Sequence, residues 1–242
     1  MNVLLIPVAP LERSKSRLLD YFSRDNLRKL TIALMNDMGT VLSNLTCFDE
    51  IIIYCKSPEI LELAERYELV GLKEEKSHNR DFNNLLKSLN QIAIDKFNAK
   101  KTTISFIDTI LISEKNFREF SSLLEKNQLV ISPSIFSAGI SMVGRNPADI
   151  IEVNVFNQEK PSLLGLIDNA KKNGIKDIAI YDSFRAGFDV DIRIDLILGY
   201  EYLKILNLTE RETFKFLEKH LKMELKCNTT NNRNLKIQQR NC

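Results

Sequence analysis

The sequence predicts an α/β domain built around a mostly parallel β-sheet. Continuous apolar runs at residues 3–8 and 51–55 are typical of strands that are covered on both faces. Between these runs, apolar residues recur at helical spacing from residue 27 to residue 45, which indicates an amphipathic helix. Because strands and helical stretches alternate in this way along the chain, helical crossovers should join neighbouring parallel strands.

The other predicted elements continue this alternation. Ser23, followed by Asp25, is a candidate N-cap for the first helix. Further helices are predicted at residues 58–67, 81–97, 114–124, 162–173 and 193–206. Further strands are predicted at residues 69–72, 103–107, 129–134, 139–145 and 176–184. Residues 1–226 should form a single domain, and the polar segment 227–242 should be a disordered tail.

The composition excludes several classes of protein. A net charge of +2 on 242 residues provides no overall polycationic surface for a nucleic acid. No apolar run is long enough to cross a membrane, and no basic segment precedes the first apolar run, as it would in a signal peptide. The four cysteines form no CxxC pair, which argues against a zinc site and against a disulfide framework. We therefore expect a cytoplasmic protein that binds neither nucleic acid nor a membrane.

Three chemically distinct segments follow predicted strands, where ligands bind in open α/β sheets. The segment IPVAPLERSKSRL, residues 6–18, carries Lys15 and Arg17 directly after the first strand. Asp108 follows the strand at residues 103–107, while Asp189 and Asp191 follow the last predicted strand. Cations that bind phosphates, together with carboxylates that hold a divalent metal, are what phosphoryl or nucleotidyl transfer requires.

Each segment also has an ordinary structural interpretation. Lys15 and Arg17 are equally consistent with a solvated loop. Asp108 could cap a turn, and Asp191 could be the N-cap of the helix that follows it. The sequence contains no Walker A loop, no GxGxxG and no GxSxG motif, so these common signatures do not decide between the two interpretations.

Four stretches, taken in order, resemble the 2-phospho-L-lactate guanylyltransferases. They are IPVAPLERSKSRL, DFNNLL, FIDTILIS and YDSFRAGFDVDIRIDL, and the resemblance extends over roughly residues 3–200. It implies a Rossmann-like, three-layer nucleotidyltransferase fold, like that of the nucleotide-diphospho-sugar transferases, with a mixed, mostly parallel sheet. It also implies that GMP passes from GTP to 2-phospho-L-lactate or phosphoenolpyruvate with release of pyrophosphate, in deazaflavin coenzyme biosynthesis. Magnesium would be the cofactor, and a homodimer is a possible assembly.

The resemblance also assigns roles to individual residues. Residues 14–18 would wrap the triphosphate, so that Lys15 and Arg17 offset its charge. Asp108 would bind magnesium, and Asp189 and Asp191 would form a second metal or substrate contact. Further substrate contacts are expected from Ser14, Ser16, Asn83, Gly139, Ser141, Ser183, Arg185 and Gly187. Among them, the guanidinium of Arg185 is a candidate partner for the carboxylate of the acceptor.

The chain also departs from the pattern of these transferases. Ala9 stands where they usually carry a lysine, and Thr109 and Ile110 replace a Leu-Pro pair. Ile140 and Ser141 replace a Thr-Asn pair. Because one charge-assisted contact contributes about 1.5–3 kcal/mol, several such losses could change the substrate or abolish turnover. Ala9 and the lost Thr-Asn pair favour an alternative, a catalytically silent paralogue that binds a nucleotide or a partner protein. The retained Lys15, Arg17, Asp108 and SFRAGFDVD stretch favour the transferase instead.

Overall fold

The computed structural model describes residues 1–74, 81–137, 139–153, 160–225 and 235–239, the last of these ranges and residues 222–225 by their backbone. Its main feature is a seven-stranded sheet with helices on both faces. The strands of this sheet are β1 (Asn2–Pro7), β2 (Glu50–Cys55), β3 (Val70–Lys73), β4 (Lys101–Ser105), β5 (Leu129–Pro133), β6 (Ile140–Arg145) and β7 (Ile178–Ile180). The helices are α1 (Arg24–Leu42), α2 (Pro58–Arg66), α3 (Phe82–Phe97), α4 (Glu114–Leu124), α5 (Ser162–Lys172), α6 (Phe184–Gly187), α7 (Arg193–Ile205) and α8 (Glu212–His220).

The sheet is mixed but mostly parallel, as predicted. Its strand order is β3-β2-β1-β4-β6-β5-β7. Strand β6 is antiparallel to both of its neighbours, and the other four strand pairs are parallel. Two antiparallel steps separate β4 from β5, so β5 and β7 run in the same direction as β1 and β4. The carboxyl ends of these four strands therefore meet at one edge of the sheet.

Strand order at the centre of the sheet decides where a ligand can bind. The chain passes outward from β1 through β2 to β3 and then returns, so that β4 lies on the other side of β1. Such a reversal opens a crevice beyond the carboxyl ends of the central strands. The basic loop after β1 and Asp108 after β4 both begin beside this crevice.

The core explains why the first strand is continuously apolar. Leu4 and Ile6 pack in one hydrophobic layer with α1, whereas Val3 and Leu5 face the opposite layer, which includes α3. All four side chains are fully buried. Burying a side chain of this size contributes about 1.5–3 kcal/mol, so both faces of the strand stabilise the sheet.

Helix starts follow the predicted local chemistry where a small polar residue is available. The Ser23 hydroxyl accepts a hydrogen bond from the Asn26 backbone N–H at 3.2 Å, which confirms Ser23 as the N-cap of α1. The Asp191 alternative is wrong, because α7 begins after Ile192 and another carboxylate serves its first turn. Asp195 accepts from the backbone N–H groups of Asp191 and Ile192, each at 2.8 Å.

The structure differs from the sequence-based expectation mainly toward the C-terminus. The strand predicted at 176–184 ends at Ile180, and a short helix, α6, occupies Phe184–Gly187. The amphipathic helix α8 was not predicted. It is followed by an antiparallel pair, β8 (Leu221–Leu225) and β9 (Leu235–Gln239). Within the segment 227–242, for which a disordered tail was expected, residues 235–239 form β9, whose backbone pairs with that of β8. Residues 227–234 and 240–242 lie outside the described residues.

None of the helices in the described part of the chain combines the length and the apolar character needed to cross a membrane.

Candidate active site

A cavity of about 770 Å³ opens at the edge where the parallel strands end. Its size lies within the range of small-molecule sites, which are usually concave and partly apolar. The basic loop forms one wall through Ala9, Ser14, Lys15, Ser16 and Arg17. The lining also brings together Asp108, Asp189, Asp191, Gly139 and Ser141. Most of the residues that the sequence selected therefore meet in one place.

The ammonium of Lys15 lies at the centre of the acidic wall. Its Nζ donates to Asp108 Oδ2 at 2.7 Å, to the Val190 carbonyl at 2.6 Å and to Asp191 Oδ1 at 3.2 Å. Lys15 itself adopts a left-handed backbone conformation, with φ of 52°, at the start of a short 3₁₀ turn. This conformation is uncommon for a residue with a side chain, and such strain tends to occur at functional sites.

Lys15 remains positively charged in this environment. Burial alone would lower the pKa of its ammonium, because desolvation disfavours the charged form. The neighbouring carboxylates of Asp108 and Asp191 outweigh burial, and the pKa of Lys15 is raised above its ordinary value. The side chain is 9% exposed, so the charge is held almost entirely inside the protein.

The two acidic segments are also joined through the backbone. The Val190 N–H donates to the carbonyl of Asp108 at 3.1 Å. Arg17 adds a second cation, because its Nη1 lies 2.9 Å from Asp191 Oδ2. The Arg17 side chain is 65% exposed, so it can contact a ligand that enters the cavity.

Asp189 differs from the other two carboxylates of the site. Burial raises the pKa of Asp189 to about 6, and the negative charges of Asp108 and Asp191 act in the same direction. A hydrogen bond from the Ser134 hydroxyl to its Oδ1 opposes this rise. Lys15 contacts Asp108 and Asp191 directly, whereas Asp189 is the carboxylate whose ionisation is disfavoured by burial and by its two acidic neighbours.

Several other polar groups of the cavity lining make hydrogen bonds within the protein. Ser14 Oγ lies 2.6 Å from Thr31 Oγ1, and Ser14 is 4% exposed. Ser141 Oγ donates to the Ser132 carbonyl at 3.1 Å, and the Gly139 N–H donates to Ser137 Oγ at 3.2 Å. Ser14 and Ser141 therefore shape the cavity walls, and their hydroxyls already have protein partners.

An apolar part of the cavity was not predicted from the sequence. Phe82 and Phe106 both line it, and their ring centroids lie 6.1 Å apart. A pair of aromatic rings offers flat surfaces on which a nucleobase can stack. The available signal was position alone, because Phe82 directly precedes Asn83 in DFNNLL and Phe106 lies two residues before Asp108.

Four expected substrate contacts lie outside the cavity lining. Asn83 is in the first turn of α3, where its N–H donates to Asp81 Oδ1 at 3.0 Å. Ser183 Oγ accepts from the Ala186 N–H and caps α6. Arg185 Nε donates to the Leu111 carbonyl at 2.7 Å, and Gly187 packs directly against the Pro133 carbonyl. The last three lie in or next to α6, outside the cavity lining, whereas Asp189, two residues after α6, lines the cavity.

The carboxylates of the cavity are of the ligand type that hard divalent cations bind. Carboxylate and carbonyl oxygens are the ligands that magnesium prefers. In the described ranges, no three His, Cys, Asp or Glu side chains converge on one point. Magnesium is commonly held by one or two carboxylates together with substrate phosphates, so a site of this kind does not require three converging protein ligands.

Comparison with known proteins gives a consistent result. The chain matches a family model described as guanylyl transferase CofC like over residues 1–240. It is 28% identical over 194 residues to the 2-phospho-L-lactate guanylyltransferase of Methanocaldococcus jannaschii, covering 79% of each chain.

Solved structures with the same fold are more distant in sequence. A proposed nucleotide-diphospho-sugar transferase from Desulfovibrio desulfuricans G20 aligns with a TM-score of 0.72 at 16% identity, covering 90% of this chain and 94% of that one. A nucleotidyl transferase from Methanothermobacter aligns with a TM-score of 0.62 at 13% identity, covering 86% and 99%. The fold is therefore that of the nucleotidyltransferases. Because the family match spans nearly the whole sequence, the chain belongs to the CofC-like guanylyl transferases.

Proposed function

We propose that this protein transfers GMP from GTP to 2-phospho-L-lactate or phosphoenolpyruvate and releases pyrophosphate, as a step in deazaflavin coenzyme biosynthesis. Its similarity to 2-phospho-L-lactate guanylyltransferases supports the first acceptor. One structural observation carries the proposal: Lys15, Asp108 and Asp191 meet in a cavity large enough for a nucleotide. This places cations and metal-type oxygen ligands together, as nucleotidyl transfer requires.

The proposed reaction needs no nucleophile from the protein. A phosphate oxygen of the acceptor attacks the α-phosphorus of GTP. The new P–O bond forms as the bond to the β-phosphate oxygen breaks, and pyrophosphate leaves with that electron pair. The task of the protein is to hold both reactants in line and to neutralise negative charge.

Each charged residue then has a distinct task. Arg17, exposed at the cavity wall, would contact the triphosphate directly. Asp108 and Asp191 would hold magnesium, which supplies charge neutralisation at the phosphates when bound. Lys15 was expected to bind the triphosphate; its contacts to both carboxylates instead favour a role in which it orients these ligands.

The observation that favours the silent alternative lies in the same cavity. Ala9 lines it and provides no charge where a lysine is usual in the transferases that the sequence resembles. A paralogue that binds a nucleotide without turning it over could retain the remaining contacts. The two functions differ in whether pyrophosphate is released.

The test is pyrophosphate release by the purified protein with magnesium, across the four ribonucleoside triphosphates. Each nucleotide is combined with 2-phospho-L-lactate, phosphoenolpyruvate or 3-phosphoglycerate. Release that needs both GTP and one acceptor supports the transferase and identifies the acid. A folded protein that binds GTP but stays silent across the whole grid would establish the binding paralogue.

Asp108→Asn is the matching variant. It removes a metal ligand while preserving the shape of the side chain, so turnover should be lost while the protein stays folded. Asp182→Asn is the control, because Asp182 is exposed and lies outside the cavity. Equal activity of wild type and Asp108→Asn would contradict the proposed role of Asp108.

A further inference from the structure

Two guanidinium groups hold the main chain just beyond Asp108. Arg211 Nη1 donates to the Ile110 carbonyl, and its Nη2 donates to the Ile112 carbonyl at 3.0 Å. Arg185 Nε donates to the carbonyl between them, that of Leu111, at 2.7 Å. Two arginines, Arg185 in α6 and Arg211 at the start of α8, therefore donate hydrogen bonds to three successive carbonyl groups.

We infer that Arg185 and Arg211 are positioning residues that fix Asp108 by clamping residues 110–112. The inference rests on the proposed function for the role of Asp108. Neither arginine lines the cavity, so neither touches the substrates in this arrangement. Their effect on the reaction would pass through the main chain.

The carbonyl groups of residues 110–112 need hydrogen-bond donors from elsewhere in the protein. The side chains of Ile110, Leu111 and Ile112 are each at most 4% exposed, so the loop is anchored in the core. These three residues belong to no strand or helix, and no sheet partner accounts for their carbonyls. A buried carbonyl without a donor costs about 1–3 kcal/mol, and the guanidinium N–H groups remove this cost.

The clamped residues are connected to Asp108 through tight turns. The Ile110 N–H donates to the Asp108 carbonyl at 2.9 Å, and the Ile112 N–H donates to the Thr109 carbonyl at 3.1 Å. Thr109 Oγ1 donates to the Phe106 carbonyl at 2.9 Å. A shift of the clamped carbonyls would therefore move Asp108 relative to Lys15.

Arg211 is held in place by contacts between α1 and the start of α8. The Asp37 carboxylate, on α1, accepts from the N–H groups of Glu212 and Thr213 at 2.8 and 2.9 Å. These bonds secure the first turn of α8 and so present Arg211 to the loop. Its planar fork spans two carbonyls at once, which a lysine ammonium cannot do with the same geometry.

The two arginines lie close enough for their charges to repel each other. Burial lowers the pKa of Arg211, and the nearby charge of Arg185 lowers it further. Two like charges are held together here by the carbonyl dipoles between them and by Asp37. Each arginine contacts carbonyls that the other does not, Arg185 that of Leu111 and Arg211 those of Ile110 and Ile112.

The first experiment measures the loop directly. Arg185→Met removes the donor to the Leu111 carbonyl while keeping an unbranched side chain. Arg211→Lys leaves a donor for at most one of the two carbonyls that Arg211 contacts. Hydrogen exchange of the peptide spanning residues 107–113 should accelerate about tenfold or more in each variant, while β1 and β2 are unchanged. Arg118→Met is the control, because Arg118 lies on the adjacent α4, is 53% exposed and pairs with Glu114 on the same helix.

The second experiment separates positioning from bulk stability. In Arg185→Met, kcat should fall about tenfold while KM for GTP changes less than about twofold, because Asp108 is misplaced and the nucleotide cavity is retained. Arg185→Lys keeps a donor and should recover most of the turnover. Thermal unfolding of each variant identifies any loss that is due to a smaller folded fraction.

The outcomes are distinguishable. Unchanged exchange at residues 107–113 in both variants would overturn the clamp. Accelerated exchange with unchanged kcat would overturn the link to Asp108. If the wild-type protein releases no acceptor-dependent pyrophosphate, the proposed function fails, and the exchange measurement still decides whether the clamp exists.

Discussion

Lys15 Nζ lies 2.7 Å from Asp108 Oδ2, although the two residues are 93 positions apart in the chain. The same ammonium reaches Asp191, which is 176 positions away. One buried cation thus joins the ends of β1, β4 and the segment before α7. This contact is the centre of the candidate site, and the first prediction concerns it.

Replacing Lys15 by methionine should lower kcat/KM by roughly 10- to 100-fold, because a charge-assisted hydrogen bond contributes about 1.5–3 kcal/mol. The Asp108 and Asp191 carboxylates would lose the cation between them and repel each other. The magnesium concentration for half-maximal turnover should also change, whereas a residue that only bound triphosphate would mainly alter KM for GTP. Steady-state kinetics at varied magnesium and GTP measure both effects.

Arg17→Met is the matched control for this variant. Arg17 contacts Asp191 but is 65% exposed, so its loss should leave the arrangement of Asp108 intact. We expect KM for GTP to rise with little change in the magnesium requirement. Identical kinetic defects in the two variants would contradict the distinct roles proposed for Lys15 and Arg17.

The raised pKa of Asp189 predicts how stability depends on pH when divalent cations are absent. Its folded-state pKa is about 6, compared with an ordinary value of 3.8. Between these values the folded state binds more protons than the unfolded state, so stability should fall as pH rises from about 4 to about 6 and then level off. The full penalty at neutral pH is on the order of 3 kcal/mol, because each pKa unit corresponds to about 1.4 kcal/mol.

Asp189→Asn should remove this pH dependence. The amide stays neutral, and its Oδ1 can still accept from the Ser134 hydroxyl. In EDTA, the variant should be more stable than wild type at pH 7 and similar to it near pH 4. Urea unfolding at a series of pH values provides the measurement, and parallel curves for the two proteins would show that Asp189 is not the group responsible.

The aromatic pair predicts where the base of the nucleotide lies. If the guanine stacks on Phe82 or Phe106, then Phe82→Ala should raise KM for GTP by roughly 5- to 100-fold, since stacking on an aromatic side chain contributes about 1–3 kcal/mol per base. The kcat should change little, because the phosphates are bound elsewhere in the cavity. Phe184→Leu is the control, because Phe184 is exposed and lies outside the cavity.

Gly187 should prove structural, contrary to the role that the sequence suggested. A Cβ at this position would lie 2.4 Å from the Pro133 carbonyl oxygen, which belongs to the backbone of β5. Gly187→Ala should therefore lower the free energy of unfolding by about 1–3 kcal/mol, as overpacking does. Specific activity per folded molecule should be nearly unchanged.

Gly165→Ala tests the same substitution where space is available. The nearest atom to a Cβ at Gly165, on α5, is 4.0 Å away. This variant should gain about 0.5–1 kcal/mol, because alanine has the higher helix propensity. Loss of activity without loss of stability in Gly187→Ala would instead restore the substrate-binding interpretation.

The sequence by itself determined the parts of this protein that depend on local pattern. Apolar runs predicted the buried strands, because strands covered on both faces need apolar side chains at every position. The Ser23 cap could be predicted for a similar reason, since a helix start requires a nearby acceptor. The candidates Lys15, Arg17, Asp108, Asp189 and Asp191 could also be selected, because each follows a predicted strand and ligand sites lie at strand ends.

Only the tertiary structure decided which of these side chains contact one another. The sequence predicted a strand as far as residue 184 and a tight turn in SFRAGF, whereas the structure has α6 here, and Ser183, Arg185 and Gly187 do not line the cavity. Phe82 and Phe106 join the site because α3 and the segment after β4 pack side by side, a relationship that has no local signal. The contact between Lys15 and Asp108, which are 93 positions apart, also has no local signal. It depends on how the strands are ordered in the sheet, and strand order is a property of the whole chain.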